Sequence, residues 1–361
     1  MTLAPERTTA PVVPAPPRRR PALRRPSALV TLWLGGLGLL AVSTALVITI
    51  GPSGLTAADV VQSALARLTG SDSGLTRIQE GIIWNLRLPR TLMAALAGAG
   101  LALCGVILQS LLRNPLADPY ILGISSGAST GAVLVVVLGV GAGAVGLTTG
   151  AFVGALAAFG FVLVLAFASG GTTDRVVLAG VAATQLFSAV TSFVVYIAAD
   201  AEQTRGVLFW LLGSLASVRW SDVAVCGVVV LLGLVACLLH TSSLDAFTFG
   251  QDAAAALGVN VARTRLVLMV VTALVTAVIV STCAAIGFVG LVLPHAARAL
   301  VGGRHRVLVP TAALMGAVFV VWIDAVSRTV IAPQELPIGV ATALIGVPAF
   351  VGLLLRRGHG R

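Results

Sequence analysis

The residues with which this chain could do chemistry are few and widely spaced. The four cysteines (Cys104, Cys226, Cys237 and Cys283) all lie inside apolar runs, and no CxxC pair occurs. That placement suits small buried hydrophobes better than a disulfide or metal framework. The four histidines (His240, His295, His305 and His359) are scattered without ligand spacing, so no resident metal or cofactor is expected. No Ser/His/Asp grouping, HExxH or paired acid is visible, and an enzyme would need such a constellation. All 23 basic residues are arginine. Without a lysine there is no P-loop cation to reach a terminal phosphate and no Schiff-base amine. Only one acid stands clearly inside an apolar run: Asp324, four residues before Arg328. Ion-coupled transporters usually carry ionisable groups at membrane depth. Here an i,i+4 ion pair near a membrane boundary accounts for Asp324 without any transport role. The energy for any work must come from elsewhere.

These groups are held by an apolar scaffold. Of the 361 residues, 58% are hydrophobic and 10% charged, and the mean hydropathy is +1.04. A soluble domain carries about 25% charged residues, so a soluble enzyme is excluded, and the apolar content is the opposite of a disordered chain. A polytopic membrane protein remains. Residues 1–27 are rich in proline and arginine and are expected to form a disordered cytoplasmic tail. Residues 28–361 form the membrane domain. Runs long enough to cross a hydrocarbon core of about 30 Å fall near 28–50, 89–112, 120–141, 146–168, 174–199, 220–240, 265–282, 307–329 and 337–355. A shorter run, 286–301, is interrupted at Pro294 and is expected to face other helices or a pathway, not lipid. The first run is too long for a signal-peptide core. The expected fold is all-α, with about ten transmembrane helices.

Charge sets the orientation. With the tail inside, sixteen arginines fall on inner loops or span ends and seven on outer ones, which keeps both termini cytoplasmic. The net charge of +10 then reads as topology signal and contact with anionic lipid heads, not as nucleic-acid binding. Gly98, Ala102 and Gly105 form a small face on which helices can approach closely. Trp84, Trp210 and Trp220 sit near outer boundaries, where indoles anchor. The loop 241–264 contains a helix-favouring stretch, Ala253 to Leu257, closed by Gly258. It reads either as a docking knob for a soluble partner or as an ordinary surface helix.

Four motifs occur in order: Arg87-Leu-Pro-Arg90; Arg113-Asn-Pro-Leu-Ala-Asp-Pro119 followed by Gly123-Ile-Ser-Ser-Gly-Ala128; Gly287-Phe-Val-Gly-Leu-Val-Leu-Pro-His295 with Arg298; and Glu335-Leu-Pro-Ile-Gly339 through Gly346-Val-Pro348. In these the chain resembles the FecCD/BtuC-type permeases, membrane subunits of type II ABC importers for iron–siderophore complexes, haem and cobalamin. The resemblance runs from about residue 28 to the C-terminus. It implies the BtuC-like permease fold in a bacterial cytoplasmic membrane. It also implies pairing with a second permease copy or paralogue, two cytoplasmic ATPase subunits and an extracytoplasmic substrate-binding protein. Hydrolysis of ATP would belong to the partner.

The same resemblance assigns residues. Gly250, Gln251, Asp252, Ala253, Ala254, Leu257 and Gly258 look like the coupling helix that seats in the ATPase. Arg87, Arg90 and Arg328 match arginines that face acidic residues of the binding protein, with anchoring at the membrane interface as the other reading. Asn114 and Leu116 match one loop of the cytoplasmic gate, and Thr172 and Thr173 match the other. Ser-Thr is common at this second site, so Thr-Thr departs mildly, and the threonines are equally placed to cap the following helix. The implied substrate is a ferric siderophore, with haem or cobalamin as alternatives. A secondary transporter is the contrasting class, and it would move solute in proteoliposomes without an ATPase.

Overall fold

The computed structural model describes residues 26–51, 54–141, 143, 145–198 and 200–358. The expected tail therefore lies outside the described residues, apart from Pro26 and Ser27, which already open the first helix. Among the described residues, seven helices are long and apolar enough to cross a membrane, and three shorter apolar ones accompany them. Together they match the ten expected runs. The ten are α1 (Pro26–Thr49), α4 (Leu88–Leu111), α5 (Ile124–Leu138), α6 (Leu147–Ala168), α7 (Thr173–Ala198), α9 (Trp220–Leu239), α12 (Val261–Cys283), α13 (Val289–Val301), α14 (His305–Thr329) and α15 (Ile338–Gly358), of which α5, α13 and α15 are the shorter three. Short helices α2 (Ala57–Thr69), α3 (Arg77–Gly81), α8 (Ala201–Leu211), α10 (Thr241–Phe247) and α11 (Gln251–Ala256) fill the connections.

Helix α4 is the hub. Its apolar window is 83% buried, against 17% for α1, so α4 is surrounded by protein while α1 lies on the periphery. Small residues permit this. A Cβ at Gly98 would stand 2.1 Å from the Gly316 carbonyl oxygen of α14, and one at Gly105 would stand 1.9 Å from that of Gly290 on α13. The backbones touch, as the small face in the sequence leads one to expect.

Three boundaries differ from the sequence reading, each through backbone hydrogen bonding. The helix leading into α4 begins at Arg77, because a π-helical turn, Ile82–Arg87, joins α3 to α4. In that turn Leu88 N–H bonds Ile83 O, so the next residue, Pro89, leaves the Trp84 carbonyl without its partner. The indole Nε1–H of Trp220 donates to it at 2.8 Å. Trp84 in turn donates to Ser63 Oγ at 2.8 Å and lies 4.3 Å beneath the Arg67 guanidinium. Helix α5 starts late, at Ile124, because the 120–141 run opens with a 3₁₀ turn, Pro119–Leu122, that ends at Gly123 with φ +70°.

The third difference is at Pro294. Helix α13 is not interrupted there; it runs on from Val289 to Val301. Proline removes the N–H that would have bonded the Gly290 carbonyl. Gln109 of α4 supplies the replacement: its Nε2 donates to Gly290 O at 3.3 Å and to Leu291 O at 3.2 Å, and its Oε1 accepts from Arg298 at 3.2 Å. The segment faces another helix, as expected, and Pro294 is buried.

Candidate functional site

Two sites lie at opposite ends of the α4–α14 pair. At the end where α4 begins and α14 finishes, five ionisable groups converge. Arg90 donates through Nε to Asp324 Oδ1 at 2.9 Å, and through both terminal nitrogens to the two Glu335 oxygens at 2.9 Å each. Arg328 Nε lies 3.2 Å from Asp324 Oδ2, so the i,i+4 pair forms and Arg90 joins it. Arg328 also donates to the carbonyls of Ile50 and Val47 at 3.3 Å each, and Arg87 donates to that of Ile48. Leu336 N–H bonds Ser327 O at 2.8 Å, folding the loop after α14 back so that Glu335 meets Arg90.

Asp324 is 0% exposed and Arg87 8%. None of the three arginines stands out as an unengaged surface cation, a feature that sequence spacing does not reveal. Arg87, Arg90, Arg328 and Glu335 line a cleft of about 740 Å³ that opens at this end. With three arginines against two acids, the formal charge of the cluster is one positive.

At the other end, α10 and α11 fold the loop after α9 against the bundle. The glycine stop forms as expected: Val259 N–H bonds Ala254 O at 3.0 Å and Gly258 N–H bonds Ala255 O at 2.9 Å. This double closure needs a left-handed residue at Gly258, whose φ is +83°. Gln251 Nε2 donates to Thr173 Oγ1 at 2.8 Å, and Arg265 Nη2 donates to the same oxygen at 3.3 Å. A Cβ at Gly250 would stand 3.4 Å from Arg113 Nη1. The start of α11 thus touches the loop of Thr172 and Thr173 and the residue preceding Asn114. Asn114 Oδ1 accepts from Leu116 N–H at 2.9 Å in a tight turn, and the Leu116 side chain is exposed. Within that loop Asp118 accepts from Tyr120 N–H at 2.9 Å, yet burial pushes its carboxyl up to about 6.

One grouping here is invisible in the sequence. His305 Nδ1 lies 2.7 Å from Asp245 Oδ1, and His305 Nε2 lies 2.6 Å from Ser110 Oγ. The expectation that no Ser/His/Asp grouping occurs is therefore corrected, since folding joins three residues from α4, α10 and α14. It is not a nucleophile site. His305 is 1% exposed and Ser110 6%, and the N–H groups around Ser110 are consumed by α4, leaving none for an oxyanion. Gln109 escaped notice too. A glutamine in an apolar span signals an orphan carbonyl nearby, and Pro294 creates one. The four cysteines are buried free thiols.

Among the described residues, a bundle of ten apolar helices with a charged cleft at one end and a short helical loop at the other is the architecture of a polytopic membrane protein. Residues 39–356 match the model of the FecCD transport family. The chain belongs to that family, whose members are ABC importer permeases. It is 38% identical to the cobalamin import system permease protein of Halobacterium salinarum, over 93% of this chain and 99% of the relative. It is 37% identical to an iron(3+)-hydroxamate import system permease of Bacillus subtilis, over 79% and 74%. A solved inward-facing structure of a putative metal-chelate type ABC transporter superposes with TM-score 0.78 at 32% identity, covering 91% of this chain and 99% of the other.

Proposed function

We propose that this chain is the membrane subunit of an importer that passes a ferric siderophore complex into the cytoplasm, driven by a separate ATPase. The observation that carries the reading is the seat of α11. Gln251 is bonded to Thr173 and Gly250 abuts Arg113, so a push on this helix reaches both loops assigned to the gate. ATP binding by the partner pair then changes the openness of Asn114, Leu116, Thr172 and Thr173 by shifting a two-state equilibrium. The Arg87–Arg90–Arg328 cleft faces outward and receives acidic groups of a binding protein, its net charge steering encounter. The chain crosses a bacterial cytoplasmic membrane with both termini on the cytoplasmic side, and a second permease copy or paralogue completes the pathway. The iron(3+)-hydroxamate relative supports a ferric complex, while the near-full-length cobalamin relative keeps cobalamin as the second reading, with haem after it.

The test replaces Asp252–Leu257 with a Gly/Ser segment in the assembled complex. Uptake of radioiron-labelled ferric hydroxamate should fall to background while ATP hydrolysis continues. Unchanged uptake would overturn the coupling role, and uptake of cobalamin or haem in its place would reassign the substrate.

A further inference from the structure

The geometry points to the Asp245–His305–Ser110 chain as the link that transmits motion of the α10–α11 loop into the α4–α14 pair, an inference that rests on the function just proposed. Asp245 belongs to α10 and reaches α14 twice: its Oδ1 accepts from the His305 backbone N–H at 3.0 Å and from the ring Nδ1–H at 2.7 Å. The first contact satisfies an orphan N–H at the α14 N-terminus, where an acid is favoured. With Nδ1 donating to a carboxylate in a neutral ring, Nε2 is left as an acceptor 2.6 Å from the Ser110 hydroxyl, whose single proton it shares with the Val106 carbonyl oxygen at 2.9 Å. One side chain thereby ties the loop to the end of α4 and the start of α14 together.

The tie is placed to carry load. His305 and Ser110 are buried, so the bond between them is shielded from water, where a hydrogen bond is stronger and costlier to leave unmade, while the Asp245 side chain is 41% exposed on the loop side. Helix α10 is itself fixed, with Leu244 0% and Phe247 1% exposed. It joins α11 through only three residues, and Gly250 N–H bonds Phe247 O at 3.1 Å, so α11 cannot shift far without moving Asp245. Beyond the tie, α4 and α14 touch backbone to backbone at Gly98 and Gly316 and are clamped again by Arg90 and Asp324. Close-packed, doubly clamped helices move as one body. The loop, the pair and the charged cleft at its far end therefore form one mechanical line, with His305 as its joint. It is a positioning residue and touches no substrate.

Two replacements divide the joint. His305→Asn keeps an amide near the Nδ1 position, so it can hold Asp245 but cannot reach Ser110. His305→Gln reaches Ser110 but gives up Asp245. In the full complex with ATPase and binding protein, both should retain the ATPase subunit and its hydrolysis. Ferric hydroxamate delivered per ATP should fall roughly tenfold in each, a coupling loss of ordinary allosteric size. Ser110→Thr keeps the hydroxyl beside a cavity of about 720 Å³ and should restore normal coupling, whereas Ser110→Ala should not. Normal uptake per ATP in either histidine variant would overturn the link. Loss of the ATPase subunit from those variants would also overturn it, assigning the chain to docking. A wild-type chain that recruits no ATPase would overturn the underlying function and this link with it.

Discussion

The Nε–H of Arg90 donates to Asp324 Oδ1 at 2.9 Å across 234 residues of sequence. Asp324 is 0% exposed, so its charge is tolerable only while guanidinium groups face it. Arg90→Ala should destabilise the chain by about 3 kcal/mol, the usual cost of leaving a buried charge short of a partner. Adding Asp324→Asn should recover part of that loss, because the charge leaves with its partner. Thermal unfolding in detergent, arranged as a double-mutant cycle, measures the coupling.

The contact between α4 and α14 makes a steric prediction. Gly98→Ala drives a methyl toward the Gly316 carbonyl oxygen, 2.1 Å away, and should cost about 1–3 kcal/mol as an overpacked interface. Gly227→Ala is the control, since its methyl would meet only Leu96 Cδ1 at an ordinary 3.7 Å. Equal melting temperatures for the two variants would mean that the notch relaxes freely.

Gln109 and Pro294 should behave as one unit. Gln109→Leu strips the donor from the Gly290 and Leu291 carbonyls and should cost about 1–3 kcal/mol. Pro294→Ala restores an N–H that can bond Gly290. The double variant should therefore be more stable than Gln109→Leu alone, and additive losses in the same melts would refute the pairing.

The Asp118 carboxyl, pushed up to about 6 by burial, gives a pH dependence of definite sign. A carboxyl raised above its unfolded value favours the folded state when protonated, and that contribution is lost as pH rises from the ordinary aspartate range through 6. Asp118→Asn keeps an oxygen for Tyr120 N–H without the charge. It should raise the melting temperature at pH 7 and make little difference at pH 4.

Much of this was legible in the sequence, for identifiable reasons. Spans are long apolar runs, and their number and order follow from length alone. The close-packed face of Gly98 and Gly105 and the stop at Gly258 also show, because glycine at those spacings has a local meaning. Contacts between distant elements did not show. His305 reads as a lone histidine after a glycine pair, and only folding brings Asp245 and Ser110 to its two nitrogens. Arg90 reads as a surface cation in an Arg-Leu-Pro-Arg motif, and only the returning loop carries Glu335 to it. Pro294 reads as a break because the remedy, Gln109, lies 181 residues before the carbonyl it meets.

That remedy bears on how the chain is made. A ribosome delivers α4 to the translocation machinery long before α13, so the amide of Gln109 is already waiting when the proline-bearing helix arrives. Helix α13 need not linger in lipid with a bare carbonyl. The opposite holds at the other end of the same hub, where the Trp84 carbonyl must wait for Trp220, and α4 stays unfinished at its entrance until α9 has been threaded in. Biogenesis of this chain thus has a built-in sequence of closures, the Gln109 end of the hub ready first and the Trp84 end completed later.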